Sequence, residues 1–177
     1  MNNTSNSAST SDELVLRPGQ PMPDFALPLV SSAATGTPSS TCGLEDLRGR
    51  PFILFIYPKD GTCDCTLVAQ QFRDLHARFE ELKVRILGLS RDSLGAHKKF
   101  IAAQELPFAL LSDSSQETMK RWGLIYPSTM YGKPVTKVRR TTVLVDAGGM
   151  VHQVWEKVAP EGHAAQVLEA CVEMARS

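Results

Sequence analysis

Two cysteines, Cys63 and Cys65, lie on either side of one aspartate in the segment YPKDGTCDCTLVAQQF, which covers residues 57–72. Three kinds of chemistry use thiols this close together: a disulfide, half of a metal site, or one reactive thiol with a bystander beside it. The other two cysteines, Cys42 and Cys171, are distant in the sequence. Which chemistry applies depends on the elements that hold the pair.

The composition favours one globular domain with free thiols. Of the 177 residues, 42% are hydrophobic and 21% are charged, a balance typical of a single domain with a sizeable core. The formal net charge is zero and no long basic run is present, so neither nucleic acid nor an anionic membrane is an expected partner. Four cysteines are too few for a disulfide scaffold in a chain of this length.

The N-terminal segment MNNTSNSASTSDELVL lacks the positive start and apolar centre of a secretory signal, and no later apolar run approaches bilayer length. We therefore expect a cytoplasmic protein, in which thiols stay reduced unless they do chemistry. Residues 1–13 are rich in Ser, Asn and Thr, which predicts a disordered tail, and residues 14–177 are expected to form the single domain. The polar segment SSAATGTPSSTCG predicts a surface loop that contains Cys42.

Strands and helices alternate from residue 51 onwards. PFILFIY and KVRILGLS are continuous apolar runs, typical of strands buried on both faces, and PFALLS is a shorter strand of the same kind. Between the first two, an apolar stripe with spacings of three and four predicts one helix. Cys63 lies off this stripe, whose members are Cys65, Val68, Phe72, Leu75, Phe79 and Leu82.

Three more helices are predicted: LGAHKKFIAAQ, capped by Asp92 or Ser93; SSQETMKRWG, where Ser114 and Glu117 have capping-box spacing; and a last helix with Pro160 in its first turn. RRTTVLVD and GMVHQVWEKV flank a tight turn and predict an antiparallel hairpin. Right-handed crossovers make the first strands parallel, and the hairpin extends the same sheet. The predicted fold is α/β and thioredoxin-like, with a mixed central sheet, helices on both faces and an N-terminal extension.

Cys65 is the better placed of the two thiols. The first strand stops at Pro58, KDGT forms a turn, and Cys65 falls in the first turn of the next helix. Unpaired backbone N–H groups and the positive end of the helix dipole favour an anion there, and a thiolate is such an anion. Thr62 adds a hydroxyl that can donate to the sulfur or to an incoming oxygen ligand.

An arginine from the hairpin can supply the cation that a thiolate needs. An antiparallel strand begins at the edge where its parallel neighbours finish, so Arg139 and Arg140, which open RRTTVLVD, are expected near the Cys65 turn. Side-chain alternation sends the two to opposite faces and leaves open which one points at the sulfur. The alternative is a pair of solvated surface arginines.

The segment PKDGTCDC resembles the active-site pattern of the peroxiredoxins, in which Pro, Thr and Cys fall on Pro58, Thr62 and Cys65. The resemblance runs from about Pro18 to the final helix and is greatest to the Q-type subgroup, the bacterioferritin-comigratory proteins. YPKD, ILGLSRDSLGAHKKF, LPFALLSD, RWG, YGKP and KVAPEGH all look like segments of that subgroup. The family's R-x-T element implies that Arg140 is the arginine of the site.

The resemblance implies a thiol-dependent peroxidase that reduces hydrogen peroxide and organic hydroperoxides. The Cys65 thiolate would attack one peroxide oxygen and become a sulfenic acid, while Arg140 and Thr62 hold the peroxide and Pro58 shields the oxidised sulfur. It implies no metal and no organic cofactor. It also implies recycling by thioredoxin or another thiol, and a monomer.

The usual resolving cysteines of the Q-type subgroup are absent. Many members carry one five residues after the reactive cysteine, where this chain has Gln70, and others carry it in the next helix, which here contains none. Cys63 is the nearest candidate, although a bridge across one residue closes a small, strained ring. We expect Cys171 to be a buried hydrophobe and Cys42 an incidental loop residue, so the working hypothesis is a one-cysteine mechanism.

Two alternatives belong to other functional classes. A CxC metal-binding module would use both thiolates, yet a structural zinc site needs four ligands and no second cysteine pair exists. A thioredoxin-like disulfide reductase or redox sensor usually has two residues between its cysteines, with the attacking thiol first. The remaining candidates are expected to be structural rather than catalytic: His76, His97, His152, His163, Trp122 and Trp155.

Overall fold

The fold is described by a computed structural model that covers residues 14–32 and 40–177. The predicted disordered tail, residues 1–13, lies outside this range. A seven-stranded sheet has the order β2-β1-β5-β4-β3-β8-β9, and β6 and β7 form a separate two-stranded sheet. The strands are β1 (Ala26–Val30), β2 (Ser40–Gly43), β3 (Phe52–Ile56), β4 (Arg85–Ser90), β5 (Ala109–Ser112), β6 (Ile125–Met130), β7 (Lys133–Val138), β8 (Thr141–Val145) and β9 (Val151–Trp155).

The centre of the large sheet is parallel and buried on both faces. β3 pairs in parallel with β4, and β4 with β5, as the continuous apolar runs predict. β8 lies antiparallel to β3, with Thr141 opposite Ile56. The residue before β8 therefore lies beside the end of β3. The predicted hairpin that joins β8 to β9 is also confirmed, and Asp146 closes its turn by accepting from the N–H groups of Gly148 and Met150.

Helices cover both faces of the sheet, which confirms the thioredoxin-like arrangement. Ile53 and Phe55 of β3 join one apolar core with the four longer helices, and Leu54 joins the opposite core with Trp122 and the N-terminal segment. Across the part of the chain described here, no helix has the length and apolar character needed to cross a bilayer. The helices are α1 (Cys63–Asp74), α2 (His76–Glu81), α3 (Leu94–Gln104), α4 (Glu117–Arg121) and α5 (His163–Arg176).

The helix predicted from the stripe between Cys65 and Leu82 is two helices in the structure. α1 ends at Asp74, and Leu75, with φ −99° and ψ 3°, separates it from α2. The Leu75 N–H still donates to the Gln71 carbonyl at 3.1 Å, so the break leaves the stripe in phase. Apolar spacing reports which face a residue occupies and is insensitive to a one-residue change of backbone angle.

Two predicted helix starts are wrong. α4 begins at Glu117, and its first turn is closed by the buried carboxylate of Asp113, which accepts from the Met119 N–H at 2.8 Å, rather than by a Ser114 capping box. α5 begins at His163 after Gly162, so Pro160 precedes the helix. The predicted cap of α3 is correct for Ser93, whose hydroxyl accepts from the Ala96 N–H.

Two strand pairings were not predicted. β6 and β7 form a hairpin whose tip residues, Tyr131 and Gly132, both have positive φ, as a tight two-residue hairpin turn requires. β1 and β2 extend the sheet beyond β5. Cys42 lies in β2 and is 5% exposed, so its prediction as a surface-loop residue is wrong. The neighbouring residues of β2 are small or polar and not buried, so the sequence pattern gives no sign that Cys42 points inwards.

Replacement of Gly88 should destabilise the centre of the sheet. An added Cβ would lie 2.5 Å from Leu110 Cδ2 and 2.9 Å from Phe55 Cζ. Because closely packed cores tolerate added carbon poorly, we expect Gly88→Ala to lower the free energy of unfolding by about 1–3 kcal/mol in urea titrations. Gly95→Ala in α3 is the matched control, because its Cβ meets only Ser93 Oγ at 3.9 Å, and it should raise stability by up to ~1 kcal/mol. Equal effects of the two would contradict the packing account.

Candidate active site

The turn that joins β3 to α1 lies at the carboxyl end of the parallel strands. Tyr57 continues the strand by donating its N–H to the Leu89 carbonyl, and Pro58, which has no N–H, follows it. Gly61, with φ +80°, permits the reversal that leads into α1. Thr62 is the N-cap of α1, and its carbonyl accepts from the Thr66 N–H at 2.9 Å. The first-turn N–H groups of α1 therefore point towards this turn.

Cys65 and Arg140 meet at this end of the sheet. The Arg140 guanidinium donates to Cys65 Sγ at 3.4 Å, and Cys65 is 1% exposed. Arg140 directly precedes β8, so the antiparallel register with β3 carries it to the turn. Its own carbonyl accepts from the Val158 N–H at 3.2 Å, which fixes the backbone after β9 against it. A cation and a helix N-terminus thus converge on one buried sulfur.

The Arg139 side chain contacts groups other than the sulfur. Its Nε donates to the Gly123 carbonyl at 3.2 Å, and its guanidinium lies 5.0 Å from the centre of the Tyr126 ring. Neither arginine belongs to a strand, because β8 begins at Thr141, so strand alternation does not determine which of them faces Cys65. The antiparallel topology predicts their neighbourhood correctly, and local loop geometry selects Arg140.

Thr62 and Cys63 are both exposed, although they flank the buried sulfur along the chain. The Thr62 hydroxyl donates to the Lys59 carbonyl at 3.1 Å. Because a hydroxyl carries one proton, Thr62 must turn before it can donate to Cys65 or to a ligand. Cys63 is two residues from Cys65, which places the two thiols on nearly opposite sides of α1.

A cavity of about 660 Å³ opens beside Arg140. Pro58 and Arg140 both line this cavity, and Arg140 also contacts the sulfur. Elsewhere its wall mixes apolar side chains with several cationic ones and one carboxylate, that of Glu156, so it can accept a molecule with both an apolar and an anionic part. These side chains include Tyr126, Met130, Val135, Arg91, Lys137 and Lys157.

Behind the turn lies a polar network that was not predicted from the sequence. The Tyr57 hydroxyl donates to Asp60 Oδ1 at 2.5 Å, and Asp60 Oδ2 lies 2.6 Å from His97 Nδ1. Burial and the neighbouring Asp60 carboxylate raise the pKa of Tyr57 well above its usual range, so Tyr57 stays a donor. Asp92 Oδ2 accepts from the Asp60 N–H at 2.9 Å and from the Ser90 hydroxyl at 2.6 Å. The signal in the sequence that could have indicated this network was Asp60, an ionisable residue two positions after Pro58.

The other two cysteines are buried and poorly suited to attack. Cys42 packs in the core on the opposite face of the sheet from Cys65, and burial, followed by the nearby Asp46 carboxylate, raises the pKa of its thiol. Cys171 shares a core with Cys65, and burial raises its pKa to about 12. The position of Cys171 agrees with the prediction of a buried hydrophobe.

The remaining histidines and tryptophans take different environments. Trp122 is fully buried with its ring against Phe25, and Trp155 is half-buried. His163 is buried, its Nε2 lies 2.8 Å from Thr142 Oγ1, and burial lowers its pKa to about 4. His76 is partly exposed near Glu80, and His152 is exposed.

Comparison with known proteins gives a consistent result. Residues 18–154 match the AhpC/TSA family. The peroxiredoxin Bcp of Xanthomonas campestris pv. campestris is 37% identical over 150 residues, covering 85% of this chain and 91% of that protein. The peroxiredoxin Bcp of Bacillus subtilis is 35% identical over 156 residues, covering 88% and 95%. The solved structure of Xanthomonas campestris peroxiredoxin Q gives a TM-score of 0.75 at 35% identity and covers 85% of this chain and 91% of that one.

The chain belongs to the AhpC/TSA family. The relatives named above are peroxiredoxins of the Bcp or Q type, which confirms both the resemblance and the thioredoxin-like fold expected from the sequence. The protein is a thiol-dependent peroxidase, an oxidoreductase that acts on peroxides and draws electrons from a thiol. The comparisons do not favour a disulfide reductase or a CxC metal-binding module.

The buried, neutral His163 should make stability fall in mild acid. Its pKa is lowered from 6.5 to about 4 in the fold, so the unfolded chain takes up a proton first as the pH falls. The contribution of neutral His163 to the free energy of unfolding is complete above pH 6.5 and is lost progressively towards pH 4. We expect His163→Gln to flatten the fall in melting temperature across this window. His152→Gln, at an exposed position, is the control; parallel wild-type and His163→Gln curves would contradict the assignment.

Proposed function

We propose that Cys65 is the residue that attacks the peroxide. Its thiolate sulfur bonds to one peroxide oxygen, the O–O bond breaks, and the other oxygen leaves and takes up a proton as water or alcohol. The sulfur loses two electrons and becomes a sulfenic acid. The observation that carries this assignment is the 3.4 Å contact between Arg140 and Cys65 Sγ at the start of α1.

Arg140, Thr62 and Pro58 take the supporting roles in this proposal. The Arg140 guanidinium and the first-turn N–H groups of α1 stabilise negative charge, first on the sulfur and then on the departing oxygen. The Thr62 hydroxyl turns from Lys59 to donate to the peroxide. Pro58, in the cavity wall beside Arg140, shields the sulfenic acid from further oxidant.

The substrates we propose are hydrogen peroxide and organic hydroperoxides. The mixed wall of the cavity beside Arg140, with Tyr126, Met130 and Val135, supports an organic substituent. The bacterioferritin comigratory protein of Xanthomonas campestris, a structural relative with a TM-score of 0.76, has alkyl peroxide reduction activity. No metal or organic cofactor takes part in the proposed reaction.

For the second half of the cycle we propose a one-cysteine mechanism. Thioredoxin or another external thiol attacks the sulfenic acid, water leaves, and a second thiol releases the enzyme from the mixed disulfide. Burial of Cys42 and Cys171 and the opposite orientation of Cys63 support this choice. At the position of the common resolving cysteine, Gln70 donates instead to Gln104 of α3 at 2.8 Å.

We further propose, from the resemblance to the Q-type peroxiredoxins, that the protein works as a monomer in the cytoplasm. Residues 14–177 would act as the single catalytic domain. Analytical ultracentrifugation of the reduced and the oxidised protein tests the monomer directly.

The proposed oxidation step can be tested by substitution of Cys65 and Arg140. In stopped-flow oxidation by hydrogen peroxide and an alkyl hydroperoxide, Cys65→Ser should abolish reaction, and Arg140→Gln should slow it roughly 10²-fold because one donor to the developing anion is lost. Arg139→Gln is the matched control: it removes the adjacent guanidinium, which faces Gly123 and Tyr126, and should slow the reaction much less. Equal losses from both arginine variants would show that general positive charge, and not the contact with Cys65, matters.

The proposed one-cysteine mechanism predicts that the sulfenic acid at Cys65 persists until an external thiol arrives. After one equivalent of peroxide, a 1,3-diketone that traps sulfenic acids should add to Cys65, and Cys63→Ser should keep its turnover with an external dithiol. Mass spectrometry of the oxidised, unreduced protein is the measurement. A bond from Cys65 to Cys63, Cys42 or Cys171 would overturn the one-cysteine mechanism.

A further inference from the structure

His97 is fully buried, yet both of its ring nitrogens face oxygen atoms. Nε2 lies 2.9 Å from the Leu111 carbonyl oxygen, and Nδ1 lies 2.6 Å from Asp60 Oδ2. A carbonyl oxygen can only accept, so Nε2 must carry a proton. The protonation state of the ring therefore depends on whether the proton between Nδ1 and Asp60 belongs to the histidine or to the acid.

The surroundings of Asp60 favour a carboxylate. Its Oδ1 accepts from the Tyr57 hydroxyl, so a proton on this acid would have to lie on Oδ2, the oxygen that faces His97. Ligand atoms of Asp60, Asp92 and His97 all lie within 4.8 Å of one another. Two carboxylates this close are stabilised by a cation, and an imidazolium at His97 supplies one where both of its N–H groups find acceptors.

We propose that His97 is a buried imidazolium that acts as a positioning residue: through its hydrogen bond to the Asp60 carboxylate it holds the turn from Pro58 to Thr62 against Cys65. Asp60 lies inside this turn, and its side chain is 8% exposed. Leu111 belongs to β5, so the pair ties the turn to the rigid centre of the sheet. The proposal rests on the function proposed for Cys65, because the held residues are the ones assigned to its site.

The chain offers an isosteric test of the charge. In Asp60→Asn the amide oxygen can still accept from Tyr57, while the amide N–H can donate to a His97 ring that is protonated at Nε2 alone. Every hydrogen bond is retained, while the proton on Nδ1 and both charges of the pair are lost. Asp60→Ala, by contrast, removes the link between the turn and His97.

The first measurement is nitrogen NMR of protein labelled with ¹⁵N-histidine. At neutral pH the wild type should show both His97 nitrogens protonated, and Asp60→Asn should show a proton at Nε2 and none at Nδ1. His76 and His152, near or at the surface, serve as internal references. An unprotonated Nδ1 in the wild type would place the proton on Asp60 and overturn the imidazolium.

The second measurement is the rate of Cys65 oxidation. Asp60→Ala should be slowed roughly 10- to 100-fold, because small displacements of positioned groups cost rate steeply, and Asp60→Asn should recover most of the loss. Asp74→Ala, which removes a surface partner of Arg73, controls for a lost carboxylate and should react like the wild type. A folded Asp60→Ala that oxidises at the wild-type rate would overturn the positioning role. If Asp60→Ala does not fold, the rate of Asp60→Asn decides, because a loss as large as that of Arg140→Gln would also overturn it.

The two proposals can fail separately. A wild type that does not react with peroxide, together with a doubly protonated His97, would contradict the assignment of Cys65 and leave the ion pair intact. Normal oxidation at Cys65 together with a neutral His97 would support the assignment of Cys65 and contradict the imidazolium.

Discussion

A sulfur that is almost completely buried can carry a negative charge only where a cation and hydrogen-bond donors reach it, because an unpaired buried ion is very costly. The contact of Arg140 with Cys65 meets this requirement. Several parts of the fold are needed to bring the two side chains together. The antiparallel pairing of β8 with β3 brings the arginine to the end of β3, and the turn after β3 brings the sulfur to the start of α1. Neither element could shift by a residue and keep the pair together.

The same turn is supported from two sides. On the side facing the cavity stand Pro58 and Arg140, and on the interior side Asp60 connects to Tyr57 and His97. Side chains of α1 continue the support, since Phe72 stacks on Phe55 of β3 with ring centres 5.0 Å apart. A one-cysteine mechanism suits this rigidity. In the proposed mechanism no second cysteine has to reach Cys65, so α1 would not have to unwind, and the Gln70–Gln104 hydrogen bond could hold α1 to α3 throughout the cycle.

Much of this arrangement could be predicted because its signals are local or topological. The apolar runs of β3 and β4 report burial on both faces, and the turn after Pro58 puts Cys65 at a helix start. The neighbourhood of Arg140 follows from the direction of β8. The β6–β7 hairpin and the strand around Cys42 were missed because their residues are largely polar and exposed, so apolar spacing hardly marks them. The cap of α4 was misassigned because a buried carboxylate, Asp113, replaced the local serine.

The pairing of Asp60 with His97 was beyond sequence reasoning for a different reason. The two residues are 37 positions apart, and each has an adequate local explanation: an aspartate in a turn and a histidine in the first turns of a helix. Only the packing of α3 beside the sheet shows that the helix directs His97 inwards to the Leu111 carbonyl, where one nitrogen is already committed as a donor. With Nε2 committed as a donor, the other nitrogen of the ring is left for Asp60 in the turn, so a contact with β5 limits the protonation states open to this pair.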